Sequence, residues 1–104
     1  MSGQVTGRMA RLQESIAGDA LALWALSHDD TVWPLIETLL PAKITHPVLA
    51  FNLAGAYALK REKKRMLDLV ALALNLGKEP KQFMSDNDFA AYRDDDEFKA
   101  ALRV

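Results

Sequence analysis

The chain contains no cysteine, which excludes disulfide staples and thiolate metal ligands at once. Glycine and proline are sparse, five and four in 104 residues, so neither a collagen-like repeat nor a low-complexity linker is present. Neither sign of charge dominates. Thirteen basic against 14 acidic residues leave a formal charge of −1, and no global field draws the chain to a nucleic-acid backbone. Long hydrophobic runs are missing as well. The greasiest window, Ala20 to Leu26, is far short of the roughly 20 residues a membrane helix needs. The small, polar start from Met1 to Gly7 lacks the basic region and apolar stretch of a secretory leader. The expected location is cytoplasmic, with no membrane contact.

What is there is a chain that is half apolar and able to bury about two-thirds of its surface. One globular domain over residues 1–104 is expected. From Arg8 the apolar residues recur at helical spacing, Leu12, Ile16, Ala20, Leu23 and Trp24, predicting a long first helix that ends near His28. Asp30 or Thr31 is a suitable N-cap for a second helix reaching Leu40, with Pro34 in its first turn. Pro41 stops it, and Pro47 opens a third helix to about Lys60. A fourth, with Met66, Leu67, Leu69, Val70, Ala73, Leu74 and Leu76 on a broad stripe, ends where Gly77 offers a left-handed cap. Beyond it, Pro80 to Met84 makes one turn, and Ser85 or Asp86 caps a second through Tyr92. Asp94 with Glu97 is spaced as a capping box for a last helix to Leu102. No segment alternates with period two, so the fold class is all-α, with antiparallel neighbours joined by short links.

The stretch Ala50-Phe51-Asn52-Leu53-Ala54-Gly55-Ala56-Tyr57, a charged turn, and then Met66-Leu67 with Val70, Ala73, Leu74 and Leu76 resembles a tetratricopeptide repeat. In that family the small residue matching Ala54 lets two helices approach, the aromatic matching Tyr57 fills the gap between them, and the small residue matching Ala73 admits the next unit. The departures are Met66 for alanine, Arg61 for a turn glycine and Lys78 for a frequent proline, which make the repeat a degenerate one. Ser85 to Phe89, then Tyr92 to Phe98 and Leu102, resembles the acidic segment that closes many bacterial tetratricopeptide proteins, with Asn87 in place of its proline. Together the matches cover roughly Pro47 to Leu102. The resemblance implies helical hairpins stacked as a short right-handed superhelix. Residues 46–78 form the clear hairpin and 79–104 its capping helices. Residues 8–45 are a helical pair in which Trp33, Ile36, Leu39 and Leu40 suit the second helix of a worn repeat.

The chemical constellations are few. His28 and His46 are the only imidazoles and have no metal-ligand spacing, so surface histidines at helix ends are expected and no metal is implied. Asp86, Asp88 and Glu97 fall at the first, third and twelfth places of a calcium loop. Ala90 and Ala91, however, occupy its ligand and glycine positions, and helix capping accounts for the acids more simply. No phosphate loop, nucleophile elbow or pair of carboxylates placed by helical spacing around an apolar cleft is present, so neither enzymatic activity nor a cofactor is expected. Lys60, Arg61, Lys63, Lys64 and Arg65 form a dense basic turn. It is a solvated hairpin tip, or it meets the acidic tail at Asp94 to Glu97, or it meets an acidic partner. Nucleic acid is the least favoured of its ligands, because no aromatics interleave the run.

The resemblance further implies that Val48, Phe51, Asn52, Gly55 and Leu59 face a concave groove. Phe51 would be its apolar anchor, and Asn52 would hydrogen-bond a bound peptide. Packing of Phe51 into the core is the competing expectation. The function expected is a non-enzymatic adaptor, scaffold or small chaperone that binds a peptide or helix of a partner protein. A repeat array normally needs about three units, so the tail, a partner or a second copy must cover the hairpin's open edge. The alternative is an assembly or regulatory subunit docking through its basic turn on an acidic surface or nucleic acid.

Overall fold

A computed structural model describes residues 2–41 and 43–103, with side chains from residue 12 onward. The described residues are helical or irregular, with no strand among them, as the absence of period-two patterning requires. None of their helices is long and apolar enough to cross a membrane. The chain divides into two compact units, residues 1–44 and 45–104.

The first unit is a long helix, α1 (Ser2–Ser27), a single 3₁₀ turn at Asp30–Val32, and a short α2 (Trp33–Leu39). Asp29 caps the 3₁₀ turn, its carboxylate accepting from the Thr31 backbone N–H at 3.0 Å and from the Thr31 hydroxyl at 2.6 Å. Those two bonds, the hydroxyl first, hold the Asp29 carboxyl below its ordinary value. Trp24 closes α1 on α2. Its indole N–H donates to Asp30 at 3.0 Å and its ring meets Trp33 edge-on at 5.4 Å, a geometry aromatic quadrupoles favour. The buried face of α1 is Glu14, Ala17, Leu21 and Trp24. Of the residues whose spacing predicts this helix, Trp24 belongs to the buried face, whereas Leu12, Ile16 and Leu23 lie on the opposite side and are exposed.

The second unit is built on a hairpin of α3 (Pro47–Leu59) and α4 (Lys63–Asn75). His46 caps α3 through Nδ1, which accepts from the Val48 N–H at 3.2 Å, and Pro47 follows at the first helical position. Both hairpin helices end in the same backbone device. At α4, Gly77 takes a positive φ of 117°, Lys78 N–H donates to the Ala73 carbonyl and Gly77 N–H to that of Leu74. At α3, Glu62 N–H donates to the Tyr57 carbonyl and Arg61 N–H to that of Ala58, with Arg61 itself at φ 62°. Both are Schellman caps, and the second seats an arginine where glycine is the unstrained choice.

Beyond the hairpin come α5 (Pro80–Ser85), a 3₁₀ segment at Asn87–Tyr92 and α6 (Asp96–Leu102). Asp86 caps the 3₁₀ segment, accepting from Asp88 N–H at 2.9 Å. The cap of α6 is Asp95, which accepts from Phe98 N–H at 3.0 Å, one residue later than the Asp94 expected from spacing. The 3₁₀ segment packs on α3 and α6 packs on α4, so the tail folds back along the hairpin. Its core is a run of rings. Phe83 and Phe89 meet at 5.2 Å, Phe89 stacks on Phe98 at 5.6 Å, and all three are fully buried.

Candidate functional site

The residues that sequence reasoning placed on one groove all come from α3, and the structure divides them. Phe51 is half-buried against the tail, its ring 4.8 Å from Phe83 and 5.8 Å from Phe89, with the Lys78 ammonium 5.0 Å above its face. Gly55 is buried beneath Asp88. A Cβ built at position 55 would stand 2.8 Å from the Asp88 Oδ2 and 3.3 Å from its Cβ. The middle of the expected groove is thus closed by the chain's own 3₁₀ segment. Asn52 is exposed, as are Val48 at 44% and Leu59 at 42%. What remains of the groove is an edge of α3 that carries two aliphatic side chains and one amide, beside the partly covered Phe51 ring.

Ala54 and Ala73 are fully buried, and Tyr57 is buried with its hydroxyl 3.5 Å from an Arg65 guanidinium nitrogen. The same guanidinium carbon lies 5.7 Å from the Tyr57 ring centre, so Arg65 is held against an aromatic side chain.

The basic turn is likewise divided. Lys63 reaches across to the tail, its ammonium 2.8 Å from Asp95 and 2.8 Å from Glu97. Hydrogen bonding to Asp95 first, and to Glu97 second, holds the Lys63 ammonium above its ordinary range. The Asp95 carboxyl is held below its own range, by Lys63 first and the Phe98 N–H second. Of the readings open for the turn, contact with the acidic tail describes Lys63. Arg61 and Lys64 are exposed. A shallow hollow lined by Lys63, Lys64, Leu67, Asp68 and Glu97 mixes both signs and presents no uniform field.

One positioning residue was not singled out from sequence. Arg93 donates from Nε to the Met84 carbonyl at 3.0 Å, and from Nη2 to the Asp86 carbonyl at 3.3 Å and to Asn87 Oδ1 at 3.4 Å. It satisfies carbonyls at the end of α5, where a helix leaves them without partners, and so fixes the bend that lays Phe89 on Phe51. The signal was an arginine a few residues after a short helix, which has many other readings. His28 and His46 are both exposed and both lie at helix ends. Comparison with family models, with curated proteins and with solved structures finds no match to this chain.

Proposed function

We propose that the chain is a protein-interaction module of tetratricopeptide type, a hairpin capped by its own tail that takes an apolar segment of a partner along the exposed edge of α3. The observation that carries this reading is that edge: Val48 and Leu59 stand exposed on either side of Asn52 and the half-buried Phe51. Amphipathic helices and extended peptides dock on such edges through apolar anchors at helical spacing. The buried Ala54, Tyr57 and Ala73 support the family resemblance through close helix packing and a filled gap. The alternative, docking through the basic turn, is weakened because Lys63 is already engaged by Asp95 and Glu97, although Arg61 and Lys64 remain exposed.

Affinity capture from a lysate at low and high salt, with wild type, Val48→Asp, Leu59→Asp and Lys64→Glu, separates the two. Binding through the edge persists in moderate salt and is lost in the two aspartate variants. Binding through the turn fades with salt screening and is lost in Lys64→Glu. A partner retained by both aspartate variants refutes the edge.

A further inference from the structure

A second hollow in the hairpin's unit shares no residue with the edge of α3 or with the basic turn. It measures about 320 Å³ and is lined by Pro80, Lys81 and Met84 from α5 and by Lys99, Leu102 and Arg103 at the end of α6. Helical spacing puts each set on one face. Lys81 and Met84 are three residues apart, and Lys99 stands three and four residues before Leu102 and Arg103. The floor is apolar, with Leu102 buried and Met84 open to solvent at 41%. Its three charged lining residues are all cations, and all are exposed. Lys99 and Arg103 have no ion-pair partner among the described residues. Lys81 meets Glu79 at 3.2 Å with both side chains mostly in water, a contact of the kind that holds little. The dipole of α6 favours Lys99 in its last turn, but that of α5 opposes Lys81 in its first, so helix stability does not explain why both sides of the hollow are basic.

We propose that this hollow takes an acidic segment of a partner protein, with one apolar side chain seated on Met84 and Leu102 and flanking carboxylates on Lys81, Lys99 and Arg103. Charge complementarity selects the ligand. Three exposed cations around a floor that no acid lines draw carboxylates in and turn a basic peptide away. Size limits the ligand to a single anchor, because the hollow is at the bottom of the range of about 300–1,000 Å³ in which pockets enclose small molecules. A lipid surface fits less well. Binding there needs apolar groups that enter the acyl boundary, and of the apolar residues in the hollow Met84 alone is exposed. A nucleic-acid strand fits less well too, since no aromatic side chain lines the hollow to stack a base.

An NMR titration of the ¹⁵N-labelled full chain with a capped peptide, one leucine between two pairs of glutamates, tests this. The amide signals of Met84, Lys99, Leu102 and Arg103 shift with a Kd of about 0.1–1 mM in low salt, and the Kd rises about tenfold in high salt as the charges are screened. Lys99→Glu weakens binding by about tenfold. Arg103→Glu, beyond the last helical residue, does the same with an unchanged thermal melt. Peptides with glutamine for glutamate, or with alanine for leucine, bind at least about tenfold more weakly. Four results overturn the proposal: no shift at about 5 mM peptide; shifts confined to the amides of Val48, Leu59 or Lys64; shifts of the hollow on concentrating the chain alone, which make a second copy its occupant; or capture by anionic phospholipid vesicles that Lys99→Glu abolishes.

Discussion

Alanine at position 55 sets two well-known effects against each other. In the middle of a helix, glycine is less favourable than alanine by about 0.5–1 kcal/mol, so on propensity alone Gly55→Ala stabilises α3. The structure opposes this, since the new methyl would stand 2.8 Å from the Asp88 Oδ2 and 3.3 Å from its Cβ. The carboxylate oxygen can swing aside. The Asp88 Cβ cannot, because it belongs to a 3₁₀ segment fixed by the Asp86 cap and by Arg93. Overpacking a site of this kind costs about 1–3 kcal/mol, which exceeds the propensity gain. The expected result is a net loss of about 1 kcal/mol, a fall in melting temperature of about 4–8 °C for a unit of this size. Asp88→Gly removes both contacts, the fixed Cβ included, so in that background Gly55→Ala becomes neutral or stabilising. A double-mutant cycle by urea unfolding isolates the coupling, expected at about 1–2 kcal/mol. If Gly55→Ala stabilises the otherwise unaltered chain, the tail does not lie on α3 and the closed groove is wrong.

Arg61→Gly is expected to stabilise the second unit by about 0.5–1 kcal/mol, because a side chain held at positive φ costs roughly 1–2 kcal/mol and glycine recovers most of it; a lower midpoint in urea contradicts the cap assigned to α3. The Lys63 attachment predicts a pH response. A carboxyl held low, as Asp95 is, favours the folded state above its unfolded value and loses that contribution as pH falls through its folded one. An ammonium held high, as Lys63 is, contributes fully below its unfolded value and loses the contribution only as pH rises through its folded one. The attachment of α6 to α4 is therefore level from about pH 5 to 9 and loosens below about pH 4. An NMR titration follows it, and Lys63→Gln moves the Asp95 midpoint upward; an unmoved midpoint removes the contact.

Local punctuation was legible in the sequence where a residue type leaves the backbone little choice. Pro47 opens α3 where expected, and Gly77 caps α4 in the left-handed conformation expected of it. Asp94 and Asp95 show the limit: adjacent acids offer equivalent caps, and only the folded chain selects Asp95. The buried face of α1 was not legible for a different reason. The helix has apolar residues on two sides, and nothing local says which side meets Trp33 and Ile36. Phe51 was assigned to the site as a possible anchor, but its neighbours Phe83 and Phe89 come from far along the chain. A pattern read one helix at a time does not contain a tail that folds back.

The ring cluster also sets the order in which the second unit can be completed. Synthesis delivers Phe51 first, Phe83 and Phe89 later, and Phe98 last of the four. The α3–α4 hairpin needs only local pairing and forms as soon as it clears the ribosome, in keeping with the speed of short-range contacts. Until the last helix follows, it stands with an apolar face in water, the condition in which nascent chains aggregate or are held by chaperones. A translational pause or premature stop between Asn75 and Phe98 would therefore strand a hairpin whose secondary structure is finished and whose core is not.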